Sequence, residues 1–390
     1  MNKNINHNST PHPIRGDKGA TDEGPRNIER DLQNPDMIVP PATDGGTLDN
    51  MKFSYSDTHV RIEHGGWSRE VTERELPISK QVAGVNMRLT PGGVREMHWH
   101  KEAEWAFVIN GDVRVTSVDQ DGKVWIDIVH ENELWYFPAG IPHALKGMEN
   151  GAEFILVFDN GSFSENSTFS ITDWFSSTPN DVLASNFGVS SETFEDFPQG
   201  EAYIYQGELP SKAEEEAILN KVEKSPNPFT FKLKDVESVK TSGGEVWIAD
   251  SNNFKASKTV AGALVEVEPG GIREMHWHPN ASEWQYYIQG EAKMTVFAAE
   301  SHARTFNYQS GDVGYVPFAM GHYVQNTGDT TLRFLEMFKD DHFADVSLNQ
   351  WMANTPKDLL KEHLPLDDDF IENNLSHDKH PNVKFDKQDE

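Results

Sequence analysis

The stretch that decides the fold is Gly92-Gly93-Val94-Arg95-Glu96-Met97-His98-Trp99-His100-Lys101-Glu102-Ala103-Glu104-Trp105. Side chains two apart on a β-strand point to the same face, so His98 and His100 present their imidazoles side by side. Glu104 follows within reach after a turn, and His143 comes later in Pro138-Ala139-Gly140-Ile141-Pro142-His143. Three neutral nitrogens and one carboxylate make a complete protein ligand set for a divalent metal. The chain then repeats the device. Residues 270–284 place His276, His278 and Glu283 in the same order, and His322 follows Pro317-Phe318-Ala319-Met320-Gly321. A lone histidine is more often a satisfied core residue than a ligand, whereas a full set in matching register twice over argues for metal.

Laid against itself from Phe53, the chain matches at a constant separation of 178 residues: Phe53 with Phe231, Gly65-Gly66 with Gly243-Gly244, Ser79 to Gly84 with Ser257 to Gly262, and the two histidine pairs. Past the second histidine the separation becomes 179, joining Glu104 to Glu283, Gly111 to Gly290, Pro138 to Pro317 and His143 to His322. One residue is therefore inserted in the loop before the second glutamate. A period this long marks two fused domains rather than a solenoid. The expected organisation is an extended arm over 1–52, ordered by lying on another domain or subunit, then one domain over 53–230 and a second over 231–390. Alternating segments such as Val85-Asn86-Met87-Arg88-Leu89 and Val113-Arg114-Val115-Thr116 are divided by turn signals, Asp121-Gly122 among them. This texture predicts an all-β sandwich or small barrel in each copy. Thr178-Pro179 and Thr355-Pro356 predict a helical piece after each barrel, with threonine as N-cap and proline at the first helical position. Residues 198–230 read as loop and linker, and 376–390 as a charged, frayed end.

At 390 residues the chain is long enough for two sizeable cores. Its 63 acidic residues against 34 basic give a formal charge of −29, which argues against nucleic acid as a partner. An anionic substrate would be repelled at long range and must be captured by local positive charge. The absence of cysteine excludes disulfides, thiolate nucleophiles, iron–sulfur clusters and cysteine-ligated zinc. No apolar run approaches the ~20 residues of a membrane span, and Met1 to Thr10 lacks the apolar core of a signal peptide. The expectation is a soluble, cytoplasmic protein with no membrane partner.

Three imidazoles and a carboxylate suit Mn, Fe, Co, Ni or Zn, and spacing does not choose among them. A closed tetrahedron would be a structural zinc site, whereas an octahedral ion would keep two positions open. The pattern Gly-x5-His-x-His-x3-4-Glu-x6-Gly, followed by Pro-x-Gly/Ala-x2-His, is the cupin motif pair. More narrowly, the chain resembles the bacterial bicupin oxalate decarboxylases along nearly its full length. The resemblance rests on residues 13–21 (Pro-Ile-Arg-Gly-Asp-Lys-Gly-Ala-Thr), 34–37 (Asn-Pro-Asp-Met), Arg-Glu-Met-His-Trp-His at 95–100 and 273–278, Ser-Phe-Ser-Glu-Asn-Ser at 162–167 and Phe-Ala-Met-Gly-His-Tyr at 318–323. Asn132 stands where the second motif usually opens with glycine, and Ala319 replaces its internal glycine; neither is a ligand position.

The resemblance implies two tandem, jelly-roll-like cupin barrels, each followed by a short helical segment. It implies two Mn(II) per chain, one held by His98, His100, Glu104 and His143, the other by His276, His278, Glu283 and His322. It further implies dioxygen as co-catalyst and a homo-oligomer, trimer or hexamer. The family's reaction turns oxalate plus a proton into formate plus CO2.

An anionic substrate needs a cation beside the metal. Arg95 and Arg273, each three residues before the first ligand histidine, are the candidates, since a guanidinium pairs bidentately with a carboxylate. Strict alternation points Arg95 away from His98, so the catalytic reading requires an irregularity near Gly92-Gly93; otherwise Arg95 is a surface or interdomain ion pair. The copies also differ after the last barrel strand. Phe163 to Trp174 is 11 residues and Phe343 to Trp351 is 8, leaving three extra residues around Ser164-Glu165-Asn166-Ser167. A polar loop of this kind suits a lid over the barrel mouth, and by the resemblance Glu165 is the general acid. Glu336 is a weaker second candidate, so the first site is expected to be the main catalyst and the second auxiliary or structural. The rivals are an oxalate oxidase, which lacks the proton donor and releases CO2 and hydrogen peroxide, and a non-enzymatic metal-binding bicupin.

Overall fold

The structure is a computed structural model that describes residues 27–221, 225–226 and 228–384, with the backbone of 14–15 and 18–19. Most of the matching segment 13–21 and the terminal residues 385–390 lie outside the described residues. No helix is long and apolar enough to cross a membrane among the described residues.

The alternation becomes strands with one face turned inward. In Glu104–Val118, Val113 and Val115 are fully buried while Arg114 and Thr116 are half-buried, the period of two that a strand with one wet face requires. Gly66–Val71, Ala83–Leu89, Gly93–Trp99, Glu104–Val118, Val124–Val129, Leu134–Phe137 and His143–Phe158 form the antiparallel framework of the first barrel. Asp121-Gly122 lies at the hairpin between the fourth and fifth of these, with Gly122 at φ 77. The second repeat follows the same path from Gly244–Ala249 to Leu332–Phe338. In the first barrel, Glu104–Val118 and His143–Phe158 bend through both layers, with a register shift between Gly147 and Ala152. In the second, the corresponding runs break, Glu283–Gln289 from Glu291–Ala298 and Gly321–Asn326 from Leu332–Phe338. A single bent sheet in one copy is therefore two sheets, of seven and six strands, in the other.

Both departures from the motif keep the turn that glycine normally makes. Asn132 (φ 66) and Ala319 (φ 61) adopt the left-handed conformation held by glycine at the matching positions, Gly311 (φ 88) and Gly140 (φ 77). Alanine there carries roughly 1–2 kcal/mol of strain.

Helices Ile171–Ser176 and Asn180–Phe187 follow the first barrel, and Leu348–Ala353 and Lys357–His363 the second. Each threonine–proline pair does start a helix, but one residue later than expected. Pro179 and Pro356 occupy the N-cap positions, and the Thr178 hydroxyl bonds back to the Trp174 carbonyl. Two stretches read as unstructured contribute strands. Ile204–Gln206 pairs with Gly93–Trp99, and the same linker carries the helix Lys212–Lys221. Asn382–Val383, near the expected frayed end, pairs with Ile272–Trp277.

The repeats exchange strands. Lys52–Ser54 pairs with Asp312–Val316 of the second barrel, while Thr230–Phe231 pairs with Leu134–Phe137 of the first. The arm before residue 53 also lies on the second barrel, through Asp36 to Asn307, Asp44 to Thr305 and the buried pair Lys52–Asp312. The repeat boundaries drawn at 53 and 231 thus fall on the two exchanged strands. Between the barrels runs one apolar cluster that includes Tyr55, Trp105, Tyr136, Trp247, Phe254, Trp284, Tyr315 and Met337. Glycine makes its close approach possible. A Cβ on Gly84 would stand 2.4 Å from the Trp284 ring, and one on Gly262 would stand 3.0 Å from the Trp105 ring. Each repeat seats its tryptophan on the other's glycine.

Candidate metal centres

His98 and His143 are cross-strand partners, as are His276 and His322, so strand pairing alone brings distant parts of the motif together. In each barrel the three histidines and the glutamate are buried, with one ligand atom from each residue all within 4.8 Å of one another. Every imidazole is fixed through Nδ1. The backbone oxygens of Glu96, Glu102 and Ile141 accept from His98, His100 and His143 at 2.6, 2.6 and 2.8 Å. Those of Glu274, Ala344 and Met320 accept from His276, His278 and His322 at 2.7, 2.7 and 3.1 Å. With the proton committed to Nδ1, each Nε2 presents a bare lone pair inward.

That arrangement fits a cation. His276 Nε2 and His278 Nε2 stand 3.2 Å apart, two lone pairs face to face. His322 Nε2 and Glu283 Oε2 stand 2.8 Å apart, yet neither has a hydrogen-bond partner, and His143 Nε2 is equally without one. Donor atoms ~2.1 Å from one ion and cis to each other lie ~3 Å apart, so a single divalent ion relieves all of these contacts. Each glutamate is aimed by its other oxygen. Trp135 Nε1 donates to Glu104 Oε1 at 2.7 Å, and Gln285 Nε2 to Glu283 Oε1 at 2.8 Å. Burial opposes ionisation of Glu104, but positive charge at His143 and His100 outweighs it and holds the carboxyl below its ordinary range, and a metal ion would supply that charge once the imidazoles are neutral ligands. Burial and the nearby Arg95 keep His98 neutral. Both effects favour the ligand forms.

Arg95 faces inward, and the irregularity that allows this lies elsewhere than expected. The ladder passes from His143–His98 to Leu145–Arg95, three residues on one strand against two on the other. The bulge therefore sits at Glu96-Met97, not at Gly92-Gly93. The second barrel has the same shift between Arg273 and His276. Only 1 % of Arg95 is exposed. Nη1 donates to the Tyr203 carbonyl at 3.3 Å, and Nη2 has no hydrogen-bond partner, standing 3.5 Å from Glu165 Oε2.

Glu165 begins a short 3-10 turn, Glu165–Ser167, just after Phe163, whose ring stacks on Phe158 with centroids 3.6 Å apart. Its carboxyl accepts from the Tyr203 hydroxyl at 2.7 Å. Burial pushes that carboxyl above its ordinary value, against the opposing pull of Arg95 and of the Tyr203 bond. Burial also raises the Tyr203 phenol, so its hydroxyl stays protonated and donates. On its outer side the turn borders a cavity of about 520 Å³ shared with Arg61, Ser68, Glu70 and Tyr203.

Tyr203, which sequence reasoning did not single out, is built in with care. Its backbone is left-handed at φ 53, held because Glu96 donates its N–H to the Tyr203 carbonyl (3.0 Å) and accepts the Tyr203 N–H on Oε1 (2.6 Å). Strand pairing identifies its counterpart: Ile204 stands opposite Arg95 as Asn382 stands opposite Arg273, so Tyr203 matches Pro381, whose carbonyl receives the matching bond from Arg273 but which has no hydroxyl to offer.

The second barrel treats its arginine differently. Arg273 donates to Glu336 Oε1 through Nε at 3.0 Å, to Asp345 Oδ2 through Nη2 at 2.7 Å and to the Pro381 carbonyl through Nη1 at 3.4 Å. Asp345 is held in turn by Lys379 at 2.6 Å. Glu336 has Val157 as its counterpart in the first barrel, so the only carboxylate paired with Arg95 among the described residues is that of Glu165, from the loop.

Cupin sequences match residues 55–195 and 231–372, and the chain belongs to the cupin family as a two-barrel member. Oxalate decarboxylase OxdC of Bacillus subtilis (strain 168) is 61% identical over 377 residues, covering 97% of this chain and 98% of that protein. A probable oxalate decarboxylase of Arthroderma benhamiae is 41% identical over 360 residues, covering 91% and 89%. A solved structure of the Bacillus subtilis enzyme, described for its Mn(II) centres, superposes with a TM-score of 0.93 at 61% identity, covering 97% of this chain and 100% of that one.

Proposed function

We propose that this protein is an oxalate decarboxylase working at the first barrel, converting oxalate and a proton to formate and CO2. The observation that carries the choice of site is the state of the two arginines. Arg95 keeps an unmatched Nη2 beside a protonatable Glu165, whereas Arg273 is saturated by Glu336, Asp345 and Pro381. Manganese held by His98, His100, Glu104 and His143 would supply a one-electron relay and open positions for substrate, with dioxygen as co-catalyst.

The chain's own residues do the rest. Arg95 takes a substrate carboxylate on its free N–H groups, which answers the long-range repulsion of a chain with charge −29. The dry surroundings strengthen that pair. When the C–C bond has broken and CO2 has left, Glu165 gives its proton to the remaining carbon and forms the C–H bond of formate. The carboxylate left behind keeps the Tyr203 hydroxyl bond and the Arg95 charge until solvent on the cavity side returns a proton. Glu336 and Arg273 neutralise each other in the second barrel, which we assign a supporting role with its own manganese. We place the reaction in a cytoplasmic homo-oligomer, trimer or hexamer, following the family resemblance.

The test is to incubate the manganese-loaded protein with oxalate, with and without air, and count formate, CO2 and peroxide. One formate per CO2, dependent on air, is the expected result. Two CO2 and one peroxide per oxalate would make it an oxidase.

A further inference from the structure

The turn that carries Glu165 needs something to hold it, because the first N–H groups of a helical turn have no partner inside it. Here that partner is Glu70, on the strand Gly66–Val71. Its Oε2 accepts the Glu165 backbone N–H at 3.1 Å, and its Oε1 accepts from Arg74 Nη2 at 2.8 Å. Arg74 is steadied by Glu75 through Nε at 2.6 Å, and Glu75 accepts from the Thr72 N–H and hydroxyl at 3.0 and 2.9 Å. The same stretch grips the base of the loop, since the Glu73 N–H donates to the Gly161 carbonyl at 2.8 Å and the Gly161 N–H to the Lys80 carbonyl at 3.2 Å. The repeat supplies an independent comparison. At the 178-residue separation, Glu70, Arg74 and Glu75 correspond to Ile248, Asn252 and Asn253. The second barrel, which lacks the three-residue insertion, thus lacks this acid–arginine–acid set as well.

We infer that Glu70 is a positioning residue for proton delivery, a latch that fixes the Glu165 main chain over the first metal cluster while Tyr203 fixes its carboxyl. The inference rests on the reading of Glu165 as the proton donor. Glu70 touches neither substrate nor metal ligand; it acts through Glu165. Without it the Glu165 carboxyl keeps its chemistry but spends less time in register, so formation of the C–H bond suffers more than the capture of oxalate by Arg95.

The test uses the manganese-loaded full chain and three variants. Glu70→Ile copies the residue the second repeat carries on the matching strand, so the fold accommodates it. It should keep metal content, thermal midpoint and KM, while kcat for formate falls ~10–160-fold, the effect of losing one charge-assisted hydrogen bond. The peroxide share of turnover should rise, and amide exchange at 161–167 should quicken. Glu70→Gln, whose amide oxygen still accepts the Glu165 N–H, should recover most of the loss. Glu165→Gln serves as the reference. If Glu70→Ile keeps wild-type kcat and product ratio while Glu165→Gln loses formate, the latch is wrong and the proton donor stands. Full formate production in Glu165→Gln would overturn the proton donor and the latch together. A fall in thermal midpoint with an unchanged product ratio would make Glu70 a structural residue only and overturn the latch.

Discussion

Arg95→Lys isolates the role of the guanidinium. Lysine keeps the charge but offers one compact donor in place of a fork, and it cannot reach both the Tyr203 carbonyl and a substrate oxygen. The Tyr203 carbonyl is not stranded, because it also accepts the Glu96 N–H at 3.0 Å, so the fold should tolerate the change. What disappears is a charge-assisted hydrogen bond to oxalate from the unmatched Nη2, worth about 1.5–3 kcal/mol. At 1.36 kcal/mol per decade that predicts a ~10–160-fold fall in kcat/KM for formate production. The assay is steady-state formate release from oxalate, run beside metal analysis and thermal melting. The matched substitution in the second barrel should behave in the opposite way. Arg273→Lys cannot satisfy both Glu336 and Asp345, which leaves a buried carboxylate poorly paired, and disrupting such a group costs up to ~3–5 kcal/mol of stability. It should lower the melting midpoint more than the rate. Near-normal kcat/KM in Arg95→Lys, with a lowered midpoint, would show Arg95 to be a structural ion pair and would refute the argument built on its free nitrogen.

Glu165→Gln should keep manganese and oxalate binding while formate production falls ~10²–10⁴-fold, the usual worth of a general acid; product analysis should show the peroxide share rising, and Glu336→Gln should do much less. Because the acid must carry its proton, formate production should be highest below the Glu165 pKa and be lost as pH rises through it. Burial raises that pKa, so the loss should begin above the ordinary glutamate value of about 4.3, and a rate profile in which formate output climbs with pH across this range would contradict the assignment. His98→Ala should empty the first site and abolish turnover, whereas His276→Ala should remove the second ion and act mainly on stability, both read by metal content per chain. Ala319→Gly removes ~1–2 kcal/mol of left-handed strain and returns up to ~1 kcal/mol in unfolded-chain entropy, so its melting midpoint should rise; Gly140→Ala, at φ 77 with open space around it, should lower it.

The ligand sets were legible because their geometry is local: a period-two histidine pair, a glutamate just beyond and a proline-rich turn before the last histidine, written twice. Arg95 was harder. Its direction depends on an extra residue at Glu96-Met97, and a bulge is defined by the partner strand, which the local pattern does not carry. Tyr203 and Glu70 lay out of reach for a related reason. Tyr203 reaches the site through the pairing of Ile204–Gln206 with Gly93–Trp99, about a hundred residues away in sequence, inside a stretch whose composition reads as linker. The charged C-terminal end misled in the same way, since Asn382 is fully buried by its pairing with Arg273 although nothing in its neighbours announces a strand. In each case tertiary pairing overrode local composition.

The exchanged strands have a consequence for how the molecule came about and how it holds together. Lys52–Ser54 completing the second barrel and Thr230–Phe231 completing the first is the pattern of a two-fold dimer whose single-barrel subunits traded their leading segments. Fusing such a dimer end to end makes the trade intramolecular and raises the effective concentration of each segment at its foreign seat to the millimolar range that short tethers provide. A cut just before Thr230 would then give two pieces that each lack a strand and each carry one belonging to the other. Neither should be a well-folded protein alone, yet mixed together they should reassemble through the exchanged strands.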